Sequence, residues 1–395
     1  MFEHLERLPE DPILGLSAAC KSDPNPDKVD LTVGVYKDES GATPVFEAVR
    51  KAQFTLTGEE ATKAYIAQAG DPDFNAGIQQ LLLGEANPLL AAGRVSSVQT
   101  PGGCGGLRIG AELIKAASDS ARVWVSSPTW ANHIPLIGSV GLEICEYRYY
   151  VPETHGVDFE GMLEDLETAS PGDVVLLHGC CHNPCGADLS QEQWQAVTAL
   201  CANRGLVPFI DIAYQGLGDG LDEDAWGLRH MAAELPELVI AASCSKNLGL
   251  YRERTGATVF IGKDADSAAV LASQGMKAAR KIYSMPPAHG AILAGKILTN
   301  DSLGALWREE LATMCDRING LRVLLDEKLG AATGQDFGFI RREKGMFSFL
   351  GLSPQQVDRL REDFSVYMVG SSRINVAGVN HSNIDYLASS VAEVL

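Results

Sequence analysis

The chain has no apolar run approaching 18 residues, so no membrane-spanning helix is expected. Its first residues, Met1-Phe-Glu-His-Leu-Glu-Arg7, lack the basic and apolar regions of a secretory signal. Positive charge is scarce: 32 Lys and Arg stand against 51 Asp and Glu, a net charge of −19. Such a surface repels nucleic acid and anionic membranes, and neither is an expected partner. A small anionic substrate then needs local arginines working against the global field. Internal repeats and low-complexity segments are absent, and no G-x-x-x-x-G-K-[ST] occurs. Nine cysteines, an odd number with several inside apolar strands, point to buried reduced thiols and a cytoplasmic location rather than a disulfide framework.

What is present suits a large soluble α/β protein. At 395 residues, 46% hydrophobic, the chain can build two domains. Between about 100 and 300, short apolar strands alternate with helical lengths: Arg122–Ser126, Val174–His178, Val207–Asp211, Val239–Ser243 and Thr258–Ile261. Near-continuous apolar strands of this kind predict a mostly parallel sheet covered on both faces, with ligands at the strands' carboxyl ends. Pro128, His178, Asp211 and Ser243 fall at those ends. Apolar residues at three- and four-residue steps from Leu303 to Leu325 predict one long helix ending near Gly330. A smaller C-terminal α/β unit follows, with strands expected near Phe337–Ile340, Met346–Leu350 and Arg373–Val376. Residues 1–12, through Pro9 and Pro12, read as an extended arm that lies on a partner subunit.

Several constellations carry chemistry, each beside a plainer reading. In Ser243-Cys-Ser245-Lys246-Asn247, with Arg254 eight residues on, a lysine at a strand end can carry an aldehyde as a Schiff base while hydroxyls and a guanidinium hold a phosphate. That describes pyridoxal phosphate; the plain alternative is a solvated lysine. Gly102-Gly103-Cys104-Gly105-Gly106, ahead of a helix expected from near Leu107, offers bare N–H groups to a phosphate, or is simply a tight turn. It misses G-x-G-x-x-G, because Arg108 stands where the last glycine belongs. Asp211, with Tyr214 three residues later, ends a buried strand and needs a positive partner such as a pyridinium N–H, unless it caps the next helix. His178-Gly-Cys180-Cys181-His182-Asn183-Pro184-Cys185 has zinc-like spacing and allows a zinc-dependent hydrolase, but the cysteines also suit small-residue packing. Arg373 and Arg280 are either surface charges or grips for carboxylates.

Taken together, these runs resemble the aspartate/aromatic-amino-acid aminotransferases, pyridoxal-phosphate enzymes of fold type I. The resemblance spans nearly the whole chain, through Gly34–Asp38, Val123–His133, His178–Gly186, Asp211–Gly216, Ser243–Arg254, Tyr283–Gly290 and Arg373–Gly378. It implies a large domain (46–311) with a seven-stranded, mostly parallel sheet between helices, a small domain (13–45 and 312–395) and the arm (1–12). It implies Lys246 as the lysine that holds the cofactor and carries the proton, Asp211 on the pyridinium nitrogen, and Asn183 and Tyr214 on the ring oxygen. Ser243, Ser245, Arg254 and the Gly103–Cys104 backbone would hold the phosphate, with Tyr65 reaching it from the other subunit. Trp130 would stack on the ring, backed by His133 behind Asp211. Arg373 would take the substrate α-carboxylate with Asn183 and Gly34, and Arg280 of the neighbouring subunit a side-chain carboxylate.

The resemblance thus implies a homodimer with shared active sites, acting on amino acids and 2-oxo acids, with no metal. Cys104 stands where the family usually has Thr or Ser, Cys185 where it has Thr and Leu248 where it has Phe; Met285 and Ala64 replace often polar residues. Tyr147–Tyr150, Gly156–Gly161 and Tyr367–Gly370 resemble the bacterial aromatic-amino-acid branch. The expected reaction is ping-pong transfer of the amino group of aromatic amino acids or aspartate to 2-oxoglutarate, leaning toward aromatic donors, with a strict aspartate enzyme as the alternative.

Overall fold

The computed structural model describes residues 1–8 and 11–395. It divides into two compact units: Pro44–Asn183 with Ala187–Arg317, and Met1–Thr43 with Pro184–Gly186 and Ile318–Leu395. The 33-residue helix Asp301–Thr333 runs through the boundary at Arg317 and Ile318.

The larger unit is built on a seven-stranded sheet. Its strands are β1 (Val95–Pro101), β2 (Arg122–Ser127), β3 (Glu143–Arg148), β4 (Val174–His178), β5 (Val207–Ile212), β6 (Leu238–Ser243) and β7 (Thr255–Ile261), in spatial order β1-β7-β6-β5-β4-β2-β3. All neighbours are parallel except β7, which runs antiparallel to both β1 and β6. Register brings the chemistry to one end. Gly256 pairs with Thr100 on one side and Ser243 on the other, Asp211 pairs with Ala241, and His178 pairs with Asp211. The loops leaving these residues therefore share one edge of the sheet.

The glycine run Gly102–Gly106 is itself helical, opening the helix Gly102–Ala117 five residues before Leu107. Its glycines let the helix lie directly on the sheet. A Cβ at Gly106 would meet the Ala257 carbonyl at 2.9 Å, and one at Gly110 would meet the Phe209 ring at 2.4 Å. Val98, Leu107, Ile109, Val123, Val125, Leu176 and Phe209 form the core beneath.

In the smaller unit, Phe347–Phe349 pairs antiparallel with Arg373–Asn375, and Val29–Asp30 pairs parallel with Val366–Tyr367. Two local expectations fail. Phe337–Ile340 is not a strand; the segment turns into the short helix Phe339–Arg342, with Phe337, Phe339 and Ile340 all buried in the unit's core. Nor does the arm extend through Pro12: a helix, Pro12–Ser22, starts there, because Asp11 Oδ1 accepts from the N–H groups of Ile13 and Leu14 and proline suits the first helical position. Residues 1–8 lack regular structure and leave Phe2, Leu5 and Leu8 exposed, while Pro9 lies outside the described residues. Among the described residues no helix is long and apolar enough to cross a membrane.

Candidate active site

Lys246 follows β6 in a turn that is tightly tied down. Cys244 N–H donates to Thr255 O, Gly249 N–H to Lys246 O, and the buried Trp307 indole to Asn247 O at 2.6 Å. The Lys246 ammonium stands 4.5 Å from the centre of the Tyr214 ring. Burial pulls its pKa below the ordinary lysine value. The charge of Asp211 opposes that shift, and Arg254 adds to it.

Asp211 comes from the end of β5. Its Oδ2 lies 3.0 Å from His133 Nε2, and the His133 side chain is fully buried. Burial alone would raise the Asp211 pKa, but the His133 bond and the nearby Lys246 ammonium outweigh it and hold the carboxyl below its usual range. Behind His133 a polar chain continues. Thr129 Oγ1 is 2.8 Å from His133 Nδ1 and 3.2 Å from His178 Nε2, while His182 Nε2 is 3.0 Å from Ser126 Oγ. Burial, reinforced by His133, pushes His178 down to about 3, so it is neutral at working pH. Trp130 packs edge-on to His133 with ring centroids 5.3 Å apart.

Next to these groups is a cradle of bare backbone. Gly102 has φ +70°, and a Cβ there would sit 2.7 Å from an Arg254 Nη2; a Cβ at Gly256 would meet the Gly102 carbonyl carbon at 2.5 Å. The helix that starts at Gly102 has no side chain capping its first N–H groups, which leaves them for an anion. Ser243 and Ser245 hydroxyls are 3.1 Å apart, and a Cβ at Gly103 would lie 3.1 Å from Ser243 Cβ. Cys104 shares this first turn and takes an N–H···S contact of 3.8 Å from Asn132. Asn183 is buried with its Oδ1 lacking a hydrogen-bond partner. An uncapped helix terminus, an arginine against glycine backbone, a carboxylate held ionised, a buried amide with an open acceptor and a depressed lysine together fit pyridoxal phosphate.

The structure brings Lys246, Asp211, Tyr214, Trp130, Asn183, Gly103, Cys104, Ser243, Ser245 and Arg254 into the larger unit, on loops, strand ends and one helix N-terminus along one sheet edge. Tyr65, 92% exposed, and Arg280 line a separate cavity of about 600 Å³ with Ile66, Gln68, Ser284 and Met285. Arg373 and Gly34 lie in the smaller unit. There the Arg373 guanidinium sits 4.7 Å from the Phe347 ring centre and donates to Thr32 O.

The zinc-like cluster does not converge as its spacing suggests. His178 and His182 turn to Thr129 and Ser126, and the ligand atoms that do gather, within 4.8 Å, belong to Cys180, Cys181 and Asp224. Burial keeps the Asp224 pKa high even though its oxygens accept from the N–H groups of Gly216, Gly218 and Asp219. Both thiols are held protonated: Cys180 is pushed up to about 12 against the effect of its bond to Cys181, and Cys181 is raised by that bond and by burial. This is a turn anchor for the loop after Tyr214. Thr129 and Asp224 were not among the expected residues. The four-residue spacing of Thr129 and His133 is a signal that could have revealed the first; Asp224 sits in an acidic loop with none.

The match to known proteins is extensive. Residues 26–391 match the family model for class I and II aminotransferases. An aspartate aminotransferase of Haemophilus influenzae is 47% identical, and an aromatic-amino-acid aminotransferase of Pseudomonas aeruginosa 46%; the alignments cover all of this chain and 100% and 98% of those proteins. The crystal structure of an aromatic-amino-acid aminotransferase from Burkholderia pseudomallei, covalently bound to pyridoxal phosphate, superposes with a TM-score of 0.98 at 43% identity. That match covers 100% of this chain and 99% of the other.

Proposed function

The chain belongs to the class I and II aminotransferase family and works with pyridoxal phosphate, and we propose that it transfers amino groups from both aromatic and dicarboxylic amino acids to 2-oxoglutarate, leaning toward aromatic donors. The observation that carries this reading is the cavity in which Arg280 sits beside Tyr65, Ile66 and Met285. An arginine there suits a side-chain carboxylate, and the apolar and aromatic neighbours suit a ring once the guanidinium moves aside. Arg280 is exposed and, among the described residues, hydrogen-bonds locally to Ser284 Oγ, so that movement breaks a surface contact.

When bound, the cofactor supplies an electron sink for the charge left on the substrate's Cα when its proton departs. Asp211, kept ionised through His133, holds a proton on the ring nitrogen, and Asn183 and Tyr214 steady the ring oxygen. Ser243, Ser245, Arg254 and the N–H groups at Gly103 and Cys104 hold the phosphate, while Trp130 covers the ring face. Arg373 and Gly34 take the α-carboxylate. Lys246, made less basic by burial, is neutral in a larger fraction near pH 7 than an exposed lysine and moves the α-proton at its Nζ. The exchange is ping-pong: one 2-oxo acid leaves before the next enters.

The working form is a cytoplasmic homodimer in which each protomer lends Tyr65 and Arg280 to its partner's site. The 92% exposure of Tyr65 supports this, as do the exposed Phe2, Leu5 and Leu8 of an arm suited to lie on a second subunit. Arg280→Leu tests the donor reading. Loss of glutamate and aspartate turnover with phenylalanine turnover retained is expected; equal losses for all three donors overturn it. A wild type inert toward phenylalanine indicates a strict aspartate enzyme.

A further inference from the structure

The smaller unit contains a buried ionic hub that neither the family match nor the reaction accounts for. Arg322, on the long helix, is 1% exposed and Glu343 is 2% exposed. The guanidinium donates to the carbonyls of Ile340, Lys344, Gly345 and Phe347, at 2.6–3.0 Å, and to Ser348 Oγ at 2.8 Å. Glu343 Oε2 lies 3.5 Å from Arg322 Nη1 and accepts from Ser348 Oγ, while Glu343 Oε1 has no partner. Burying this charge pair costs more than an apolar replacement of similar volume would. Its presence calls for a reason other than stability.

That reason lies in what the hub grips. Arg322 fixes the backbone on both sides of Met346, just where the strand Phe347–Phe349 begins. The Phe347 ring it thereby aims reaches two groups. A Cβ on Gly34 would fall 2.5 Å from Phe347 Cζ, and the Arg373 guanidinium carbon is 4.7 Å from the ring centre. The hub also packs on the turn at Gly186, whose carbonyl accepts from Lys344 N–H at 2.7 Å; a Cβ there would strike Phe347 O at 2.3 Å. Arg373 itself donates to Thr32 O, and Asn375 Nδ2 to the carbonyls of Val33 and Val35, so the loop bearing Gly34 is held from the same strand pair.

We infer that Arg322, with Glu343 and Ser348, is a positioning residue for substrate carboxylate recognition: through Phe347 it sets the attitude of the Arg373 guanidinium and the distance of Gly34 from it. The inference rests on the proposed role of Arg373 and deepens it. The hub makes no contact with substrate; it removes freedom from a side chain that does. A misplacement of about 1 Å in such a group is enough to cost up to about 10²-fold.

The test uses the holoenzyme and 3-phenylpropanoate, a carboxylate without an amino group, with its dissociation constant read from the perturbed absorbance of the bound cofactor. Arg322→Met is expected to raise that constant and the KM for amino-acid donors by about tenfold or more. Its kcat should stay within about threefold, and its cofactor spectrum and cofactor affinity should match wild type. Arg322→Lys should fall between the two, because one ammonium cannot serve four carbonyls. Arg373→Leu is the control. If it leaves 3-phenylpropanoate binding unchanged, the role given to Arg373 fails. If it weakens binding while Arg322→Met and Arg322→Lys do not, the positioning role alone fails. Should Arg322→Met not fold, Arg322→Lys decides: a several-fold rise in the dissociation constant supports the inference, and an unchanged constant overturns it.

Discussion

His133 Nε2 meets Asp211 Oδ2 at 3.0 Å in a pocket from which the His133 side chain is wholly excluded from water. Burial opposes a charged carboxylate there, and the histidine bond is what tips Asp211 back to the ionised side. The aspartate is thereby an anion at the end of a buried strand, ready for a cation that the chain itself does not place on it.

Removing that anion should be costly. Asp211→Asn is expected to lower kcat/KM by about 10²–10³-fold, the effect of deleting one preorganised electrostatic contact. His133→Asn should lower it less, because Asp211 keeps the Lys246 charge nearby. Steady-state kinetics with glutamate and 2-oxoglutarate check both. A larger loss for His133→Asn than for Asp211→Asn contradicts the assignment.

Cys104 stands in the first turn of the uncapped helix, where a hydroxyl would donate more strongly than a thiol. Cys104→Thr should therefore tighten cofactor binding by about 2–10-fold, the effect of one improved hydrogen bond. Equilibrium dialysis of the apoenzyme against pyridoxal phosphate measures this. Equal or weaker binding would show that the side chain at 104 does not face the phosphate.

Stability should carry the mark of Glu343. Burial lifts its pKa from 4.5 to about 7, against the opposing pull of Arg322, Ser348 and Arg342. A carboxyl whose folded pKa is raised contributes stability that is full below its unfolded value and is lost as pH climbs through its folded value. The wild type should thus lose about 3 kcal/mol, relative to Glu343→Gln, between about pH 4.5 and pH 8. Urea unfolding of both proteins at several pH values checks the sign. A wild type that gains stability relative to Glu343→Gln as pH rises contradicts it.

Much of this architecture was legible in the sequence, for identifiable reasons. Strands such as Val174–His178 and Val207–Ile212 are buried on both faces, so they stand out as short apolar runs, and polar residues at or next to their ends, His178 and Asp211, mark one edge of the sheet. The turn that carries Lys246 and Arg254 was legible as a strand-end turn because it is local. The antiparallel sense of β7 was hidden, since periodicity carries no direction. Phe337–Ile340 misled because a four-residue apolar run suits a strand or a helical turn equally well. Gly102–Gly106 looked like a loop, when its glycines serve close helix-to-sheet packing. Asp224 and Arg322 act through partners brought together only by folding, and nothing beside them in the chain announces it; Thr129 had only its four-residue spacing from His133.

The central claim is that Lys246 both holds the cofactor and moves the substrate proton. An absorbance spectrum of the purified protein, before and after glutamate, tests it most directly, with Lys246→Ala measured alongside. The wild type should show a visible band that moves to the near-ultraviolet on adding glutamate. The variant should bind added pyridoxal phosphate noncovalently and show no catalytic turnover, a loss of at least the 10²–10⁴-fold or so that general acid–base transfer contributes. A wild type without the visible band after incubation with the cofactor, or a variant that still turns over, contradicts the claim.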